Sequence, residues 1–209
     1  MEVIKQRIMK RLIYLIFTLL LASTGYSQTA QEYFNRAGVK YELKDYTGAI
    51  ADYNKAIEID PKYAGAYNDR GLTKYCLGDY RGAVADYTKS IEFDPKDASA
   101  YFGRGYAKKE LKDYTGAIAD YTKLIDINPK DAESFYLRGD IKSILHDTKG
   151  AIADFTKVIE IEPRFTSAYF NRGLLKLKLG QKDSGCLDFS KAGELGSKEA
   201  YEEIKKYCQ

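Results

Sequence analysis

From residue 30 onward the apolar positions recur every three or four residues, in runs of about a dozen broken by short polar turns. In the stretch 98–131, Tyr101, Arg104, Gly105, Lys108 and Leu111 mark one helix. Tyr114, Ala117, Ile118, Tyr121, Leu124, Ile125 and Ile127 mark a second at the same helical spacing. The Lys112-Asp113 junction between them matches Lys44-Asp45 and Gly78-Asp79, a short polar turn. Pro61, Pro95, Pro129 and Pro163 are the only prolines of the chain, and each follows its neighbour by 34 residues. Each closes a second helix, because proline has no N–H to donate and disfavours helix in the residue before it.

Alignment on this period superposes Tyr33-Phe34-Asn35-Arg36, Tyr67-Asn68-Asp69-Arg70, Tyr101-Phe102-Gly103-Arg104, Phe135-Tyr136-Leu137-Arg138 and Tyr169-Phe170-Asn171-Arg172. A second block runs GAIADY (48–53), GAVADY (82–87), GAIADY (116–121) and GAIADF (150–155), and decays to SGCLDF at 184–189. Small residues at 37–38, 71, 105, 139 and 173 are expected to face alanines 49, 83, 117 and 151, so that paired helices approach closely. A fixed period of this size signals stacked helix pairs, since one pair alone cannot cover its apolar face. Residues 197–208 predict one more helix with Ala200, Tyr201, Ile204 and Tyr207 on one side, suited to capping the stack.

The first 27 residues are of another kind. Lys5, Arg7, Lys10 and Arg11 precede an apolar run from Leu12 to Ala22, and a small, polar stretch follows to Ser27. That order is the order of a secretory signal peptide. The run is shorter than the roughly 20 residues that span a bilayer, although an uncleaved anchor is the rival reading. Cleavage after Ser27 is expected, with Met1 or Met9 as the start. The mature chain 28–209 would then have no membrane span and be periplasmic or secreted.

Charge follows from that division. The chain has 33 basic and 30 acidic residues, and four basic and one acidic lie in 1–27, which leaves the remainder neutral. A neutral chain has no basic surface for nucleic acid. One histidine and three cysteines give little material for a metal site. His146 falls in a turn with no nucleophile or orienting partner in view, and Cys76 reads as a small apolar residue on a first helix. No cofactor and no catalytic residue is expected. Most of the nineteen tyrosines occupy equivalent repeat positions and read as core residues with hydroxyls reaching the rim.

At this point the chain resembles the tetratricopeptide repeat family. The resemblance rests on the 34-residue length, the aromatic and small residue of the first helix, the alanine and aromatic of the second, and the closing proline. Tyrosine or phenylalanine replaces the family's tryptophan, arginine stands at the usually apolar seventh position, and the fifth repeat has no proline. It implies a right-handed, all-α solenoid of five pairs at about 30–63, 64–97, 98–131, 132–165 and 166–196, plus the capping helix. It also implies a non-enzymatic module binding a protein or peptide segment in a concave groove. Positions five, nine and twelve of each first helix would line it. Phe34, Tyr41, Asn68, Leu72, Tyr75, Phe102, Tyr106, Tyr136, Asp140, Phe170 and Leu174 are the candidates, with Asn35, Asn68 and Asn171 free for a ligand's backbone amides. The competing expectation is a structural or assembly component of a cell-envelope complex, with the groove incidental. A further alternative to groove binding is that the aromatics at position five wedge between neighbouring first helices and expose little.

Two structural expectations complete the reading. Every seventh-position arginine has an aspartate sixteen residues later: Arg36/Asp52, Arg70/Asp86, Arg104/Asp120, Arg138/Asp154 and Arg172/Asp188. A guanidinium at a packed position needs a partner, so a ladder of ion pairs is predicted. Cys186 and Cys208 are equidistant from the turn at 197, which sets them face to face in a helix hairpin and predicts a disulfide in an oxidising compartment. Cys76 would be left free.

Overall fold

The computed structural model describes residues 28–208 together with Met9 and Lys10. The expected signal segment otherwise lies outside the described residues. Eleven helices and no strand are present among the described residues. The chain divides into two compact units, Met1–Ala107 and Lys108–Gln209. The first holds α1 (Ala30–Glu42), α2 (Tyr46–Ile59), α3 (Ala64–Cys76), α4 (Tyr80–Phe93) and most of α5 (Ala98–Glu110). The second holds α6 (Tyr114–Ile127), α7 (Ala132–Ile144), α8 (Thr148–Ile161), α9 (Thr166–Lys178), α10 (Lys182–Glu194) and α11 (Lys198–Tyr207). Within each unit consecutive helices pack on one another, α4 meeting α5 through Ala83, Tyr87, Ala100 and Ala107, the arrangement of an all-α solenoid.

The same local chemistry sets the ends of each helix pair. First helices end with the N–H of a residue reaching back five positions, as from Asp45 to the Lys40 carbonyl and from Asp147 to the Lys142 carbonyl, both 2.9 Å. That closure needs a left-handed residue just before it. Lys44, Gly78, Lys112, His146 and Gly180 supply it, with φ between 61° and 79°. His146 is thus a turn residue. Second helices start on an aspartate, Asp45, Asp79, Asp113 or Asp147, whose carboxylate accepts the N–H three residues on. The accepting position is glycine because a Cβ on Gly48 would lie 2.1 Å from the Asp45 carboxylate. The fifth repeat has Gln181 and Ser184 instead, and no side chain caps α10.

Each pair closes around one large aromatic of the second helix. Tyr53, Tyr87, Tyr121, Phe155 and Phe189 are almost wholly buried, Tyr53 among Ala37, Ala49, Ala56 and Ala66, and Tyr87 among Ala83, Ala100 and Ala107. Burying such a ring contributes about 1.5–3 kcal/mol. The small residue of the first helix, expected to face alanine, also makes room for this ring. A Cβ on Gly71 would meet the Tyr87 ring at 3.2 Å, and one on Gly139 would meet Phe155 at 3.1 Å. In the fifth repeat, where Gly185 replaces the alanine, the backbones of α9 and α10 touch directly at Gly173 and Gly185.

At the C-terminus, α11 lays Ala200 and Ile204 on Phe189, Ala192 and Leu177. Cys186, one turn into α10, and Cys208, the C-cap of α11, form a disulfide with Cα atoms 5.7 Å apart. Cys76 is free. It is exposed at the end of α3, with Sγ 3.5 Å from the Tyr41 hydroxyl, and so is not the packed apolar residue expected.

Candidate functional site

The first helices carry two sets of residues that face different surroundings. One set is spent on structure. Arg36, Arg70, Arg138 and Arg172 each donate through Nε and Nη2 to the two oxygens of Asp52, Asp86, Asp154 and Asp188, at 2.6–2.9 Å. The pairs lie within a repeat, from first helix to second. Planar two-point contact is the strong form of this interaction. In the third repeat Arg104 donates to Thr88 Oγ1 at 3.2 Å and lies over the Tyr101 ring, while Asp120 is held by Lys108 at 2.8 Å.

That lysine belongs to a set the sequence reading missed. Lys40, Lys74, Lys142 and Lys176 also reach the aspartate of their own repeat, at 2.7–2.8 Å, so each of those carboxylates sits between two cations. The signal was present in the chain as an arginine followed by lysine four residues later, on the same helix face, in all five copies. The outer nitrogen of the arginine serves a further role. Arg70 Nη1 donates to Asn54 of the preceding repeat at 2.6 Å, and Arg138 and Arg172 donate to Thr122 and Thr156 at 3.2 and 3.0 Å. Burial alone pulls the Asp52 carboxyl up, but hydrogen bonds from Arg36 and Lys40 outweigh it and hold the group below the usual carboxylate range.

The second set comprises the groove candidates. In the first unit, Phe34, Tyr41, Asn68, Tyr75, Phe102 and Tyr106 are half-buried and Leu72 is exposed. Phe34 packs on Tyr63 at 4.9 Å and on Tyr53 at 5.8 Å, and Phe102 on Tyr106 at 4.8 Å. In the second unit, Tyr136 and Phe170 are half-buried and Leu174 is exposed. Tyr136 packs on Phe165 at 5.0 Å and Phe155 at 5.6 Å, and Phe170 on Phe189 at 5.8 Å. Phe34, Tyr136 and Phe170 therefore pack on rings outside their own helix while staying half-buried, and Phe102 meets a ring of its own helix. Asp140 is tied to Lys109 at 2.8 Å, so the two charges cancel.

The three asparagines expected to be free are engaged. Asn171 donates to the Tyr136 hydroxyl at 3.2 Å, Asn35 accepts from Gln31 at 2.8 Å, and Asn68 donates to Asp69 at 3.1 Å. Asp69 lacks such support. Burial pushes its carboxyl up; the hydrogen bond from Asn68 opposes this, and Asp97 adds a like charge nearby. A recess of about 400 Å³ lies in the second unit among Tyr136, Thr166, Ser167, Phe170, Asn171 and the turn before α11. No group of His, Cys, Asp and Glu side chains that could hold a metal ion is found among the described residues. No described helix is long and apolar enough to cross a membrane.

Comparison with known proteins agrees with this architecture. The family model for the TPR repeat matches residues 39–78, 74–112 and 105–142, and the model for the tetratricopeptide repeat matches 132–165. No curated protein matches. Among solved structures, the MamA protein is 27% identical with a TM-score of 0.75, over 85% of this chain and 94% of that one. A tetratricopeptide repeat protein from Parabacteroides merdae is also 27% identical, with a TM-score of 0.60 over 97% and 79%. YrrB, a TPR protein with an unusual peptide-binding site, shares the fold at 20% identity and a TM-score of 0.77, over 91% and 97%. The family models together span more than half of the sequence, and the chain belongs to the tetratricopeptide repeat family.

Proposed function

We propose that the protein is an exported, non-enzymatic interaction module that binds a peptide or protein segment along the inner face of its first helices. One observation carries the reading. The second-helix aromatics Tyr53, Tyr87, Tyr121, Phe155 and Phe189 are buried, whereas the first-helix set keeps Phe34, Tyr41, Tyr75, Phe102, Tyr106, Tyr136 and Phe170 partly accessible and Leu72 and Leu174 exposed. Accessible apolar groups grouped on one kind of helix suit a docking surface. YrrB, a relative in fold, has a peptide-binding site. Export is supported by the order of residues 1–27 and by the Cys186–Cys208 disulfide, a bond that persists in oxidising compartments.

The envelope-scaffold reading is favoured by a different observation. The turn leucines Leu77, Leu111, Leu145 and Leu179 and Leu187 of α10 are exposed, an apolar position recurring away from the first-helix inner face. Panning a random dodecapeptide library on residues 28–209 separates the two. Docking predicts enriched peptides whose capture is lost in F102A/Y106A/Y136A without a fall in melting temperature. Peptide capture unchanged in that variant, and lost instead in L145S/L179S, would favour the scaffold.

A further inference from the structure

The carboxylates of the first unit differ sharply in what they meet. Asp52 and Asp86 are each gripped by an arginine and a lysine. Asp69 follows Asn68 on α3 and, among the described residues, forms no ion pair, because its neighbour Arg70 turns its Nε and Nη2 to Asp86 and its Nη1 to Asn54. The carboxylate has the Asn68 amide as its hydrogen-bond donor. The other end of that amide, Asn68 Oδ1, is fully enclosed and accepts no hydrogen bond. Two adjacent side chains, a half-buried carboxylate and an enclosed amide oxygen, thus hold more acceptors than donors, which is costly until a donor arrives.

The surroundings favour a positive donor. Tyr53 and Tyr87, each only 2% exposed, and the half-buried Tyr63 lie close enough to feel the Asp69 charge, and so does Asp97. At the equivalent position one repeat on, Gly103 has no side chain, and the end of the Tyr87 ring fills the space a Cβ would take, at 2.3 Å. A carboxylate with an amide as its donor and like charge nearby suits an ammonium or guanidinium, which the anion attracts through charge-assisted hydrogen bonds.

We infer that Asp69 and Asn68 form a subsite for a basic side chain, lysine or arginine, of the segment bound on the inner face. The inference rests on the docking reading above and names the chemistry of its ligand. A cation here would give the Asp69 carboxylate the counter-charge that Asp52 and Asp86 draw from within their own repeats.

The test is a titration of the intact residues 28–209, labelled for NMR, with N-acetyl-lysine methylamide and with its neutral isostere N-acetyl-norleucine methylamide. The lysine probe should shift the Asp69 carboxyl and the Asn68 side-chain amide saturably and leave Asp52 and Asp86 unmoved. The norleucine probe should shift neither. D69N should weaken the lysine response at least about tenfold, the loss of one charge-assisted contact. An equal response to both probes, or the same affinity in D69N, overturns the subsite, and the comparison of probes on the wild type holds even if D69N misfolds. The peptide library keeps the two readings apart. Enriched peptides with no preference for lysine or arginine, together with a silent lysine probe, sink the subsite and leave docking standing. A responsive lysine probe with no peptide enriched sustains the subsite and sinks the docking reading.

Discussion

Replacing Asp154 with alanine removes the acceptor on which two cations of the fourth repeat converge. Arg138 donates to it twice, at 2.9 and 2.7 Å, and Lys142 once, at 2.8 Å. A hydrogen bond to a charged group contributes about 1.5–3 kcal/mol, so three set a ceiling of roughly 4.5–9 kcal/mol. The ceiling is not reached, because the cations are not stranded when the carboxylate goes. The Arg138 and Lys142 side chains keep 17% and 21% of their surface, against 5% for Asp154, and can turn to water. The expected cost of D154A is therefore about 3 kcal/mol, the lower end of the range for breaking a buried pair. R138M leaves the buried carboxylate with Lys142 alone and should cost about 2 kcal/mol, and K142M, which keeps the two-point arginine contact, about 1 kcal/mol. Urea denaturation near neutral pH, followed by circular dichroism and compared at equal m-values, reads all three. The double variant R138M/D154A should cost clearly less than the two single losses added, since the second change removes a bond already gone. A D154A protein within about 0.5 kcal/mol of wild type, or an R138M protein weaker than D154A, would refute the account of the ladder.

Three further outcomes are expected. Because Arg36 and Lys40 depress the Asp52 carboxyl, its contribution is complete above the unfolded carboxylate value near pH 3.9 and is lost as pH falls through the lower folded value. The stability gap between wild type and D52N should thus be constant above about pH 5 and shrink in more acid solution, as read by denaturation at stepped pH. C208S opens the 22-residue link to Cys186 and should cost about 3 kcal/mol, with amide exchange rising first in α11. His146 holds φ at 62°, so H146G should raise stability by about 0.5–1 kcal/mol, the relief of a left-handed side chain less the flexibility of glycine, measured as a shift in the urea midpoint.

The repeat lengths, the turns and the buried tyrosines were legible in the chain because they depend on neighbours within a few residues, or on a period that five copies display. The prolines, the polar turns such as Lys112-Asp113 and the aromatic of GAIADY are of this kind. The arginine–aspartate spacing was legible too. Its lysine was not read, although the same face of the same helix carries it in every repeat. Cys76 was misread for a physical reason. Being on a first helix does not say whether a side chain is packed or exposed, and at the last turn of α3 it is exposed beside the Tyr41 hydroxyl of the preceding repeat.

The sequence by itself determined the stack of helix pairs, since apolar periodicity, turn chemistry and the fixed period all act locally and agree at every copy. Only the tertiary structure decided which polar groups are satisfied. The glycine of the first helix meets a ring, and Asn171 spends its amide on Tyr136. Arg70 turns from Asp69 to Asp86, sixteen residues away, and the Asn68 carbonyl is enclosed with no donor. Those outcomes depend on the rotation of each helix against the next, to within an ångström or so, and the spacing of residues along one chain does not contain that rotation.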